Sequence, residues 1–309
     1  MAENSAGKTL VVVTGPTGSG KTPLAVRLAL HFGSPVVSAD SRQIYKGMPI
    51  GTAQPSEEEL AAVRHYFIAE REVTEDYTAG DYGRDALRLL EELFREHDTV
   101  VMAGGSGMYI DAVCRGMDDF SDADPELRTR LRRRLKEEGL ETLLGELQEL
   151  DPDYYAVVDR ANPARVVRAL EVCLQTSRPY SAQRTGRQAE LPFRVVKITT
   201  DLPREELYGR IDRRVDEMME AGLEEEARRM YPHRELNALQ TVGYRELFDY
   251  FDGKLSRDEA IELIKRNTRR YAKRQMTWLR RDGDVAWFDP EDAHSVVKYI
   301  KEHTNQIIK

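Results

Sequence analysis

The chain has 309 residues, 40% of them hydrophobic and 32% charged, with a formal charge of −8 at neutral pH. That balance is ordinary for a soluble globular protein of one large or two modest domains, and no apolar run approaches membrane-spanning length. The acidic total argues mildly against a nucleic-acid partner, but charges are felt over only about 8 Å at physiological salt, so their placement matters more than their sum.

The start, Met1-Ala-Glu-Asn-Ser-Ala-Gly7, lacks the basic-then-apolar layout of a secretory signal. The apolar run Leu10-Val-Val-Val13 predicts a buried strand. It leads into Gly15-Pro16-Thr17-Gly18-Ser19-Gly20-Lys21-Thr22, which fits the phosphate-binding pattern G-x-x-x-x-G-K-[ST]. Glycines there let successive N–H groups face phosphate oxygens, the following helix adds its positive end, and Lys21 adds a charge. The Thr22 hydroxyl is placed to hold Mg²⁺. The motif says that a di- or triphosphate binds but not which one.

A short strand at Pro35-Val-Val-Ser38 comes next, then helices over 57–65 and 81–96, and a strand Thr99-Val-Val-Met-Ala103 running into Gly104-Gly-Ser-Gly107. Alternation of this kind predicts an α/β fold, a P-loop NTPase-like parallel sheet flanked by helices, with ligands beyond the carboxyl ends of the strands. Asp40 follows the second strand and falls at that rim, where a carboxylate serves as a base, supports a metal, caps a helix or is simply a surface acid. From Arg115 the pattern changes to charged helices broken by Asp124-Pro125, Asp151-Pro152, Asn162-Pro163 and Arg178-Pro179. Residues 115–192 are therefore expected to form an inserted helical domain, with 1–114 and 193–309 making a discontinuous catalytic domain. The strand pattern resumes at 193–200, a helix follows from Pro203, with Asp201 expected as its cap, and a weak strand closes the pattern at 284–288. Cys114 and Cys173 lack metal-ligand spacing, so a reduced, cytoplasmic setting is the simplest expectation.

A common ATPase needs an acid closing a second buried strand, and the obvious strand here ends in glycines. No Asn-Lys-x-Asp guanine signature is present either. A kinase remains open at this point, as does a reaction that merely holds a diphosphate. Arg210, Arg213 and Arg214 are candidates to neutralise phosphate charge, although nearby Glu205, Asp212 and Asp216 are expected to occupy some of them. Residues 265–281 hold eight basic side chains, Arg269, Arg270 and Arg274 among them, opposite an apolar stripe of Ile261, Ile264, Tyr271 and Leu279. A second basic run, 127–136, includes Arg130. Two such surfaces suit a long polyanion better than a mononucleotide.

Together these motifs resemble the tRNA dimethylallyltransferase (tRNA isopentenyltransferase) family, bacterial type. The segments are the phosphate loop, Ser38-Ala-Asp-Ser-Arg-Gln-Ile-Tyr-Lys-Gly-Met48 with Ile50-Gly-Thr52, Gly104-Gly-Ser-Gly-Met-Tyr109, Asn162-Pro-Ala-Arg-Val-Val-Arg-Ala-Leu-Glu-Val172 and Val242-Gly-Tyr-Arg-Glu246. The resemblance spans nearly the whole chain, and the Asp40–Thr52 stretch is far more specific than the loop. It implies transfer of a dimethylallyl group from dimethylallyl diphosphate to N6 of the adenosine just 3′ of the tRNA anticodon. Asp40 is then the general base, and Thr17 lies near the breaking bond. Gly15, Gly18, Ser19, Gly20, Lys21, Thr22 and Arg210 hold the diphosphate with Mg²⁺. The tRNA-contacting set is Asp40, Ser41, Arg42 and Gln43, with Ser106; Ala164, Arg165, Val166, Val167 and Arg168; and Gln240, Thr241, Val242, Gly243, Tyr244 and Arg245. The absence of a zinc-finger extension implies no metal site beyond Mg²⁺, and nothing demands more than a monomer. An adenylate-prenylating relative or a nucleotide kinase, working on a small acceptor, is the alternative.

Overall fold

The computed structural model describes residues 7–116, 124–184 and 190–304; the N-terminal Met1–Ala6 stretch lies outside them. The chain divides into two compact units, Met1–Cys114 with Glu190–Lys309, and Arg115–Ala189.

The first unit opens with β1 (Thr9–Thr14), α1 (Lys21–Phe32), β2 (Val36–Ser38), α2 (Glu57–Ala62), β3 (His65–Tyr66), α3 (Ala79–Leu93), β4 (Thr99–Gly104) and α4 (Gly107–Cys114). In the second unit lie α5 (Pro125–Glu137), α6 (Leu140–Leu150), α7 (Pro152–Val157), α8 (Pro163–Thr176) and α9 (Tyr180–Gln183). The first unit resumes with β5 (Arg194–Thr200), α10 (Arg204–Glu220), α11 (Leu223–Met230), α12 (Tyr244–Phe251), α13 (Arg257–Leu279), β6 (Val285–Phe288) and α14 (Ala293–Thr304).

The strands form one parallel sheet in the order β3-β2-β4-β1-β5-β6. Residues of β1 are buried on both faces, which is why Leu10–Val13 reads as an unbroken apolar run. Leu10 and Val12 pack against one helical layer, which includes Tyr82, Ile110, Leu247 and Ile264. Val11 and Val13 face the other, with Leu24, Leu28, Val296 and Ile300. Neighbouring β1 and β4 end level, Thr14 beside Gly104, so the loops that follow them emerge side by side.

Two expected details differ. The helix predicted over 57–65 stops at Ala62, because Val63 is extended and His65–Tyr66 pair with Val36–Val37 at the sheet edge. Asp201 does not cap α10; Pro203 holds the N-cap position, and Asp201 gives its N–H to the Phe288 carbonyl at 2.7 Å.

Among the described residues the regular elements of the second unit are all helices. Leu131, Leu143, Leu147, Val166 and Leu170 form its own core. Buried Asp151 caps α7 through the Tyr154 N–H and accepts both the N–H and the hydroxyl of Ser181, closing the bundle without a buried bare charge.

Candidate active site

The phosphate loop joins β1 to α1. Gly18 and Gly20 take φ of 79° and 82°, where a side chain is strained, and a Cβ on Gly18 would come within 3.0 Å of Ile211 on α10. The loop is thus wrapped against α10 as well as turned for an anion. Lys21 lies at the first turn of α1 with its ammonium 3.3 Å from the Pro16 carbonyl. The side chain is only partly buried overall, yet its ammonium is enclosed; burial is the main cause that pulls its pKa down from 10.5 to about 8. Nearby Asp40 opposes that shift, and Arg214 adds to it.

Asp40 follows β2. Its Oδ1 accepts the Arg42 N–H at 2.9 Å and the Gln43 N–H at 3.3 Å, a side-chain turn that aims the carboxylate toward the rim. Ser106 fastens the same segment: its N–H reaches the Ala39 carbonyl at 3.2 Å, and its Oγ accepts the Ser41 N–H at 2.9 Å. The close approach explains the glycine that ends β4. A Cβ on Gly104 would overlap the Ala39 backbone, so the strand end that carries an acid in common ATPases has no room for one.

Asp40, Thr17, Lys21 and Thr22 line one cavity of about 370 Å³. Ile211, Val215, Met218, Leu223 and Ile264 give it an apolar wall, while Ser41, Arg42, Gln43, Gln240, Thr241, Val242, Gly243, Arg245 and Arg274 are among the other lining residues. Behind Lys21, a polar cavity of about 360 Å³ is lined by Gly18, Gly20, Thr22, Arg210, Arg213 and Arg214. Thr22 also shares a 20 Å³ space, about enough for one water, with the oxygen-bearing Ser38, Asp40 and Gln43. Hydroxyl, carboxylate and amide oxygens suit a hard cation such as Mg²⁺. No cluster of three His, Cys, Asp or Glu capable of holding a metal occurs among the described residues, so such an ion would take its other ligands from phosphate and water.

The arginines of α10 separate by face. Arg210 reaches the rear cavity but is tied to Glu206 at 2.8 Å on its own helix. Arg213 is exposed. Arg214 lines both cavities on either side of Lys21, and burial lowers its pKa. The family resemblance implies Arg210; the signal for Arg214 is its place in the inward row Leu207, Ile211, Arg214, Met218.

Other expected contacts also divide. Tyr244 is withdrawn from the rim: it is wholly buried, and its hydroxyl donates to the Glu226 carboxylate at 2.6 Å. Glu226 also accepts the Ile50 and Gly51 N–H groups, so this carboxylate braces the segment after Asp40. In the second unit Val166 and Val167 belong to the core and offer no side chain to a ligand, whereas Ala164 and Arg165 are exposed. Arg168 pairs with Glu171 at 3.2 Å, and Arg130 is exposed. On α13 the uncompensated basic face is narrower than expected, because α10 supplies acids: Asp216 pairs with Lys265 at 2.7 Å, and Asp212 with Arg269. Arg270 faces solvent, and Arg274 faces the Asp40 cavity beside Tyr271. Tyr271 is 37% exposed overall, yet desolvation of its hydroxyl, the chief cause, pushes its pKa up to about 12. Gln275, which no sequence pattern marks, lines the same cavity.

Residues 43–282 match the family model described as IPP transferase. A tRNA dimethylallyltransferase 1 of Phocaeicola vulgatus is 51% identical over 292 residues, covering 94% of this chain and 97% of that protein. A tRNA dimethylallyltransferase 2 of Porphyromonas gingivalis is 55% identical over 283 residues, covering 92% and 94%. Among solved structures, the tRNA isopentenylpyrophosphate transferase of Bacillus halodurans superposes with a TM-score of 0.72 at 35% identity, covering 97% of each chain. A eukaryotic dimethylallyltransferase acting on tRNA shares the fold, with a TM-score of 0.79 at 24% identity, covering 96% of this chain and 77% of its own.

Proposed function

The chain belongs to the IPP transferase (tRNA dimethylallyltransferase) family, and on that premise we propose how it works. It transfers the dimethylallyl group of dimethylallyl diphosphate to N6 of the adenosine immediately 3′ of the anticodon and releases diphosphate. The names of its relatives favour this reading over a small-nucleotide acceptor.

One observation carries the proposal: the Asp40 carboxylate and the phosphate-loop residues Thr17 and Lys21 face a single cavity with an apolar wall. N6 attacks the terminal allylic carbon, the carbon–oxygen bond breaks, and its electron pair leaves on the diphosphate. The amine is a weak nucleophile because its lone pair is delocalised into the ring. Asp40 takes its proton as the new bond forms, a contribution of about 10²–10⁴ in rate. Loop N–H groups, Lys21 and Arg214, with Arg210 at the rear cavity, receive the charge that develops on the leaving group. Mg²⁺, held at Thr22, would neutralise part of that charge.

The apolar wall from Ile211 to Ile264 suits the prenyl chain, and the polar rim with Arg42, Arg245 and Arg274 suits the anticodon loop. An adenine stacked within that loop must be flipped out to reach Asp40. Action as a monomer in a cytoplasmic setting belongs to the same proposal. The test supplies labelled dimethylallyl diphosphate and Mg²⁺ with unmodified tRNA, AMP or no acceptor. Label is expected on tRNA alone; transfer to AMP but not to tRNA would overturn the reading.

A further inference from the structure

Gln275 sits on α13, 9% exposed, where that helix crosses the open ends of β1 and β4. Its Oε1 accepts the Thr17 N–H at 3.0 Å, and its Nε2 donates to the Gly105 carbonyl at 2.8 Å. The two bonds fix the orientation of the amide, since the acceptor end must face the N–H and the donor end the carbonyl. The neighbouring glycines allow the approach. A Cβ on Gly105 would run into the Gln275 amide, and one on Gly107 would lie 2.6 Å from the Trp278 ring, one turn further along α13.

From Gly105 the connection continues to Ser106, which bonds both Ala39 and Ser41, the residues on either side of Asp40. One hydrogen-bonded path therefore runs from Thr17, through Gln275 and the glycine turn, to the segment bearing the carboxylate. Its two ends serve the two halves of one displacement, the bond that breaks and the proton that leaves.

We propose that Gln275 is a positioning residue that sets the spacing between the diphosphate loop and Asp40. The inference rests on the prenyl-transfer reading above. Both ends of its amide are spent on backbone groups, so it acts by keeping Thr17 and Asp40 in register. Misplacement by about 1 Å, even from a distance, lowers turnover by about 10²-fold.

Two variants separate its two bonds. Gln275→Met keeps the length of the side chain and loses both; Gln275→Glu keeps an acceptor for Thr17 and, when ionised, loses the donor for Gly105. Thermal unfolding first establishes that each is folded. Amide hydrogen exchange at Thr17, kcat, donor KM and tRNA Kd are then measured against the full-length wild type. Gln275→Met is expected to speed Thr17 exchange at least about tenfold and lower kcat about 10²-fold. In Gln275→Glu, exchange stays near the wild-type rate and kcat takes an intermediate value, and tRNA Kd changes by no more than a few-fold in either variant. Wild-type kcat in folded Gln275→Met, a loss confined to tRNA Kd, or unchanged Thr17 exchange would each overturn the proposal. A wild-type chain that transfers no prenyl group would instead overturn the function on which it rests, and the catalytic half with it; Thr17 exchange would still decide the bridge.

Discussion

The basic helices α5 and α13 look alike as sequence and are used differently. In α5, Arg128 is taken by buried Glu171, and Arg134 by Glu138 and Glu146, all within the helical unit. Arg130, Arg132 and Arg133 are left on its surface. In α13, Lys265 and Arg269 are compensated by a different helix, α10, while Arg274 turns to the cavity that holds Asp40. Charge runs in a sequence therefore overstate the free charge. What distinguishes the helices is where the uncompensated arginines point: on α5 to open solvent, on α13 in part toward the chemistry.

That contrast fixes an order of expected effects. Asp40→Ala sets the scale, since it removes the proposed base and neither helix: turnover should fall by about 10²–10⁴ with tRNA affinity within a few-fold, as single-turnover kinetics and filter binding would report. A large drop in affinity with intact turnover would remove Asp40 from its role. Arg274→Glu comes next and should reduce kcat/KM for tRNA at least about tenfold, because a charge at the cavity rim is reversed. Arg269→Glu should leave the cavity charge unchanged and instead oppose Asp212, lowering the melting temperature more than the affinity; equal kinetic effects at 269 and 274 would erase the distinction drawn within α13. Changing Arg130, Arg132 and Arg133 together to Glu should weaken tRNA binding and leave kcat unchanged. It should also flatten the salt dependence, by up to about 0.7–0.9 in log–log slope for each phosphate that an arginine no longer neutralises.

The smallest effect concerns Lys21. Its lowered pKa, about 8, means that the cation is present below that value and absent above it. Affinity for inorganic diphosphate should therefore weaken as pH rises through about 8. In Lys21→Arg the side chain stays charged, so the slope should flatten; parallel pH profiles by calorimetry would show that Lys21 does not titrate there.

Much of this is legible in the residues. Apolar strands buried on both faces, the phosphate loop and the Asp40 segment are written in contiguous stretches, and contiguous patterns are what periodicity reports. The features that escape such reading depend on distant partners. Residues His65–Tyr66 become a strand because Val36–Val37 offer an edge, and Asp212 reaches Arg269 from 57 positions away. Tyr244 sits in a motif read as RNA-contacting, yet its hydroxyl is spent on Glu226. Gln275 carries no charge and no periodic mark, so only the fold reveals that it meets Thr17 and Gly105.

The glycine that ends β4 has a bearing on descent. Because Ala39 lies against Gly104 where any Cβ would project, no single substitution there installs an acid without displacing the segment that presents Asp40. A lineage that took up this arrangement would need coordinated changes at Gly104 and in the segment after β2 to recover the strand-end acid of a nucleotide hydrolase. The position acts as a ratchet: the close packing that seats the Asp40 segment also closes the strand end to an acid.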